Sequence, residues 1–199
     1  MKILWIAAIT LVFAGLPGRA SAQNFFLSPF LDTTLTSPTG SGGASKAGFG
    51  VSFGKFPGVI GTETEIAYHP EILDNDLNAL AKSHVFTGSQ NLLFGPRIGK
   101  TRPYGAVGAG DLYLNVSSAS LGVPKDIDGF AESLSNNYFT LNFGGGAMYF
   151  FTKRVAVRGD LRYFKAYGLD LPDAETENLS LKFKKFTFWR LGFGAAFAF

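Results

Sequence analysis

From Trp189 to the end of the chain, the odd positions read Trp189, Leu191, Phe193, Ala195, Phe197 and Phe199. The even positions read Arg190, Gly192, Gly194, Ala196 and Ala198. Such period-2 alternation predicts a β-strand, but its sense is unusual. One face is large and apolar; the other carries a single charge and little else. A strand packed on a soluble core turns its bulk inward and its polar groups to water. Here the small face is too lightly polar to face water. It fits the lumen of a narrow barrel whose outer wall meets lipid.

The same alternation predicts eight strands, over residues 24–35, 46–56, 59–69, 84–95, 103–116, 138–151, 154–167 and 183–199. Each reaches the roughly nine to eleven residues that a tilted strand needs to cross hydrocarbon. Long connections rich in Ser, Gly, Pro, Asn and Asp (36–45, 70–83, 117–137, 168–182) alternate with short ones at Pro57-Gly58, Pro96 to Arg102 and Thr152-Lys153. The fold class expected is all-β, an eight-stranded antiparallel up-and-down transmembrane barrel with short turns on one side and long loops on the other.

Facing follows from phase. Outward sets are Ala47, Phe49, Val51 and Phe53; Ile60, Thr62, Thr64, Ile66 and Tyr68; Phe139, Leu141, Phe143, Gly145, Ala147, Tyr149 and Phe151; and Val155, Val157, Leu161 and Tyr163. Inward sets include Gly48, Gly50 and Ser52, then Glu63 and Glu65, then Asn142, Gly144 and Gly146, then Arg158, Asp160 and Arg162. Two positions are awkward. With Asn91 inward, Gln90 must face lipid, and Pro29 cannot donate to a strand ladder. Phe25, Phe94, Tyr104, Tyr149, Phe151, Phe197 and Phe199 are expected to ring the short-turn end. Tyr68, Phe86, Tyr167 and Trp189 are expected near the other end. From these facings, Phe143→Arg should damage the barrel and Gly144→Ser should be mild.

The first residues form a separate unit. Met1-Lys2, the apolar run Ile3 to Gly15, Pro17-Gly18 and the small triplet Ala20-Ser21-Ala22 read as a secretory signal peptide over 1–22. The barrel domain then occupies 23–199, starting at Gln23. The apolar run falls short of the roughly 20 residues a helical span requires.

Composition sharpens this picture at three points. The chain holds 21 Phe and 25 Gly in 199 residues, both far above ordinary usage. It has no Cys, so no disulfide framework holds it. The formal charge of +3 falls to +1 without Lys2 and Arg19, which leaves no electrostatic footprint for nucleic acid.

The chain resembles the OmpA/OmpX-like eight-stranded outer-membrane β-barrel family over essentially all of its expected mature length. The resemblance is carried by Asn91-Leu92-Leu93-Phe94 leading to Pro103-Tyr104-Gly105-Ala106-Val107-Gly108-Ala109-Gly110. Phe143-Gly144-Gly145-Gly146, the run Val155 to Tyr163 and the closing Phe197-x-Phe199 carry the rest. Gly194, Phe197 and Phe199 are similar to the signal read by the outer-membrane assembly machinery, although Gly192 stands where a polar residue is usual. The resemblance implies a non-enzymatic protein of the outer membrane, with a structural, envelope-integrity or surface-interaction role through its loops. The implied partners are outer-membrane lipid and lipopolysaccharide and the assembly machinery, with no nucleic acid; the expected state is a monomer.

Candidate chemistry is sparse. Asp32, Lys46, Glu63, Glu65, Asp111, Arg158, Asp160, Arg162 and Arg190 are expected to share an inward band near mid-barrel. An eight-stranded interior is filled by side chains and its buried charges must be paired, so the band reads as a structural network. One carboxylate, Glu63 or Asp111, is left over. His69 and His84 flank the 70–83 loop and leave open a metal site, or a base beside Ser83 in an outer-leaflet lipid-modifying enzyme of the lipid A deacylase type. A periplasmic carrier of lipocalin type is the other alternative, at the cost of an outer wall that exposes Phe49, Phe53, Phe139 and Phe143 to water. Gly105-x-x-Gly108-x-Gly110 and Gly144-Gly145-Gly146 continue as strand, which sets them apart from phosphate loops. No cofactor is implied. Within 117–137, a short helical turn is expected around Phe130 to Leu134, and no residue there identifies a partner.

Overall fold

The computed structural model describes residues 25–35, 46–70, 81–118, 136–167, 175–176, 179–180 and 187–199. Its strands are β1 (Phe25–Thr34), β2 (Ala47–Lys55), β3 (Ile60–Pro70), β4 (Ala81–Phe94), β5 (Thr101–Ser118), β6 (Asn136–Phe150), β7 (Val155–Tyr167), β8 (Glu175–Thr176), β9 (Leu179–Ser180) and β10 (Thr187–Ala198). Strands β1 to β7 and β10 close a barrel in chain order, every neighbour antiparallel. Strand β10 seals against β1 from Phe26↔Ala198 to Thr34↔Arg190. Closure leaves no free edge, the condition for a sheet to sit in hydrocarbon. No helix among the described residues is long and apolar enough to cross a membrane. The last barrel strand is described from Thr187, and residues 183–186 of the expected strand lie outside the described residues; the two-residue pair β8–β9 was not legible in the sequence. The turn expected at Phe130 to Leu134 lies outside the described residues, as does the signal peptide.

The outer wall is apolar. Phe49, Phe53, Phe139, Phe143, Phe193 and Phe197 are exposed, whereas their strand neighbours Gly48, Ser52, Thr140, Asn142 and Ala196 are buried. Both awkward positions have local solutions. Between β1 and β10 the ladder passes from Leu27↔Phe197 to Phe30↔Gly194 without a partner at Ser28 or Pro29, while Pro29 still stands opposite Val51 of β2. The proline thus sits where one ladder lapses, and no donor is missed. Gln90 does face outward, directly opposite Thr64, and its Nε2 donates to Thr64 Oγ1 at 2.8 Å. A cross-strand partner satisfies the polar group that the lipid cannot.

Three layers fill the lumen. At the short-turn end Phe26, Phe56, Leu93, Tyr104, Met148 and Phe150 pack into an apolar plug. Toward the opposite end Phe164 and Phe188 stack with ring centroids 5.0 Å apart, and Val85, Leu112 and Leu114 are buried. Charged groups occupy the layer between. Tyr104, expected in the outer aromatic ring, is instead inside at 5% exposure.

The small inward residues reflect close approach of backbone, not open space. A Cβ on Gly144 would lie 2.1 Å from the Leu161 carbonyl oxygen and 2.8 Å from Arg162 Cα. This overturns the expectation that Gly144→Ser is mild, because a rigid carbonyl cannot yield as a flexible side chain can. We expect Gly144→Ser to destabilise the barrel by about 1–3 kcal/mol, the usual range for overpacking. The urea midpoint of the refolded protein in lipid vesicles measures it.

Candidate functional site

In a strand order of eight, β3 and β7 stand diametrically opposite. Strand β3 carries Glu63 and Glu65 on its inner phase, and β7 carries Arg158, Asp160 and Arg162 on its own. The two sets meet across the lumen. Arg158 Nη1 donates to Glu63 Oε2 in a very short contact, and Arg162 Nη2 donates to Glu63 Oε1 at 2.6 Å. Arg162 Nη1 also stands 3.3 Å from Glu65 Oε2, and its Nε stands 3.2 Å from Asp160 Oδ1. Strand β10 joins through Arg190, whose Nη2 donates to Glu65 Oε1 at 2.5 Å and whose Nε lies 3.6 Å from Asp32 Oδ2 of β1.

Neutral groups complete the shell. Asn91 Nδ2 donates to Glu63 Oε1 at 3.1 Å, and Asn142 Nδ2 donates to Asn91 Oδ1 at 3.0 Å. Arg158 Nη1 also donates to Ser52 Oγ at 2.8 Å, and its Nε donates to Tyr104 Oη at 2.8 Å. The Tyr104 hydroxyl in turn donates to Asp160 Oδ2 at 3.0 Å. Glu63, Arg162 and Arg190 are each at most 1% exposed. Charges buried to this degree persist only when paired and hydrogen-bonded. Seven of the nine residues read as an interior band are thus brought into one cluster: Asp32, Glu63, Glu65, Arg158, Asp160, Arg162 and Arg190. Lys46, which precedes β2, donates its backbone N–H to Thr34 Oγ1 at 3.1 Å.

Asp111 is the correction. Its strand buries Tyr104, Ala106, Leu112 and Leu114, so the inner phase of β5 is even-numbered and Asp111 belongs to the outer wall. There it lines an external groove with Thr64, Gln90, Phe139 and Leu141. One inversion accounts for both Tyr104 and Asp111, since a one-residue change of phase moves every side chain of a strand to the other face. The leftover carboxylate therefore never enters the lumen.

The two histidines also part company. His69 shares the phase of Glu63 and Glu65, is fully buried, and places Nε2 2.8 Å from Asp32 Oδ1. A Cβ on Gly48 would come within 2.3 Å of the His69 ring, so glycine there makes room for this pair. His84 lies on the outer wall, with Nδ1 2.9 Å from Tyr68 Oη and its ring stacked on the tyrosine. Histidines on opposite faces of a sheet cannot share a metal. Among the described residues no group of three or more His, Cys, Asp or Glu could hold one. His69 and Tyr104 are the members that sequence reasoning missed. Counting by twos from Glu65 would have found the first.

A closed antiparallel barrel with an apolar outer wall and a charged, filled interior defines an integral membrane β-barrel protein. Residues 8–197 match the outer membrane protein beta-barrel domain family, and the chain belongs to that family. No curated protein matches it in sequence. Among solved structures it is similar in fold to Neisserial surface protein A, with a TM-score of 0.63 at 13% identity over 92% of this chain and 100% of that one. OprG from Pseudomonas aeruginosa gives 0.57 at 15% identity, over 89% of this chain and 96% of that one. Outer membrane protein W of E. coli gives 0.50 at 19%, over 91% and 100%. The protein is an outer-membrane β-barrel of the OmpA/OmpX-like type.

Proposed function

We propose that the barrel is a non-enzymatic scaffold, serving envelope integrity or surface interaction through the long connections at one rim. In this reading residues 1–22 are a cleaved signal peptide, and Gly194, Phe197 and Phe199 are read by the assembly machinery. The mature chain then works as a monomer among outer-membrane lipid and lipopolysaccharide. One observation carries the scaffold reading: Glu63 and Glu65 of β3 bind Arg158 and Arg162 of the opposite strand, which ties the two walls together across the lumen. Such pairing favours rigidity over flow. The exposed phenylalanines of the outer wall support residence in lipid and weigh against a soluble carrier.

Planar-bilayer recording of the refolded mature chain tests this. The scaffold reading expects no discrete conductance steps, and regular ion-selective openings would overturn it. Mass spectrometry of lipid A from cells with and without the protein tests the enzymatic alternative, and identical spectra are expected.

A further inference from the structure

The side chains of the short-turn rim are charged in one sense only. Lys55, Arg97, Lys100, Arg102, Lys153 and Arg154 stand there, and no Asp or Glu occurs in the turns 56–59, 95–100 and 151–154. In sequence, the long connections 70–83 and 117–137 carry Glu71, Asp74, Asp76, Asp126, Asp128 and Glu132 against Lys82 and Lys125.

Three of these cations face a single cavity. The mouth of the lumen at this rim encloses about 500 Å³, walled on the inside by Phe26, Phe56, Met148 and Phe150 and bordered by Arg97, Arg102 and Lys153. The guanidiniums are held in place. Arg97 lies 4.4 Å from the centroid of the Phe150 ring, and Arg102 lies 4.2 Å from that of Phe56. Arg102 spends Nη1 on the Phe56 carbonyl at 2.7 Å, while its Nε is buried with no hydrogen-bond partner among the protein atoms. A guanidinium stacked on an aromatic ring keeps its in-plane donors for an oxyanion. A buried donor without a partner is costly unless a ligand supplies one.

The setting narrows the ligand. Phe25, Ile60, Phe94, Ile98, Phe151 and Phe199 are exposed on the outside of the same rim, an aromatic and apolar girdle of the kind that marks a hydrocarbon boundary. Phospholipid phosphates lie at that depth. We propose that this mouth binds the phosphate of an anionic phospholipid from the adjoining leaflet. Arg97, Arg102 and Lys153 contact the oxyanion, and the acyl chains stay in the leaflet against the exposed girdle of Phe25, Phe94, Phe151 and Phe199. Lys55, Lys100 and Arg154 add attraction around the rim, since each basic residue near an anionic surface contributes about fivefold in affinity. The assignment rests on the membrane reading above.

Native mass spectrometry of the detergent-refolded protein, titrated with phosphatidylglycerol, phosphatidylcholine or inorganic phosphate, tests it. Phosphatidylglycerol should be retained well above phosphatidylcholine. The double variant Arg97→Gln/Arg102→Gln should lose about 25-fold in that binding, two cations' worth. Lys153→Gln, in an exposed turn where folding is not at risk, should lose about fivefold. Lys165→Gln, on β7 toward the far rim, should lose nothing. Equal retention of the two lipids would overturn the proposal, as would an equal loss in Lys165→Gln. Displacement of the lipid by equimolar inorganic phosphate would also overturn it, by pointing to a soluble phosphate as the ligand. Heat-dependent gel mobility of each sample reports the barrel independently of lipid preference, so failure of this site and failure of the membrane reading stay distinct.

Discussion

Glu63→Ala will destabilise the barrel more than any other single truncation inside it, by about 3–5 kcal/mol. The carboxylate accepts from two guanidiniums and one amide, Arg158, Arg162 and Asn91, and all of these groups are buried. Removing it takes from both guanidiniums their shortest ion pair, leaving Arg158 with Asp160 and Arg162 with Glu65 and Asp160, in a layer that has apolar packing above and below. The loss is therefore mainly the cost of buried charged donors left under-paired, which exceeds what the pair contributes when intact. Urea unfolding in phospholipid vesicles should show the shift. Glu65→Ala should cost less, because Arg162 keeps its closer partner Glu63 together with Asp160, and Arg190 keeps Asp32. Equal and small losses for both variants would mean that the lumen is hydrated and the charges screened.

Phe143→Arg will be the most damaging change on the outer wall. Phe143 is the middle residue of β6, is exposed, and packs against Tyr163 at 5.2 Å and Trp189 at 6.4 Å between ring centroids. A cation at the lipid midplane costs about 2–4 kcal/mol, falling to about 0–1 near the interfaces. Phe139→Arg, four residues nearer the strand end on the same face, should therefore cost distinctly less. Unfolding free energies for the two variants in one lipid measure that gradient. A reversed order would mean that the membrane band sits elsewhere on the wall.

Most of the architecture was legible because a lipid-facing barrel writes its phase plainly. Bulk alternates with glycine or charge in β2, β6, β7 and β10, and no soluble core demands that sense. The short turns were legible for the same reason, through the residues that interrupt the alternation. Strand β5 was not. Its outward set Gly105, Val107, Ala109 and Asp111 is barely more apolar than its inward set Ala106, Gly108, Gly110 and Leu112. The rule that a carboxylate avoids lipid then chose the wrong face for Asp111. Nor could spacing alone show that Glu63 reaches two arginines of β7, because contacts across a lumen depend on closure and tilt. Composition suggested paired charges; only the strand order shows that they tie opposite walls together.

The central claim is that the outer wall meets lipid while the charges stay inside. Trp189 reads this directly, because it lies on the outer phase of β10 beside Tyr163 and the only other tryptophan, Trp5, belongs to the expected signal peptide. The measurement is fluorescence of the refolded 23–199 chain in vesicles of brominated phosphatidylcholine, against quenching by aqueous iodide. Strong quenching by the brominated chains and little by iodide is the predicted result. Emission quenched by iodide and untouched by the lipid would place this face in water and contradict the account.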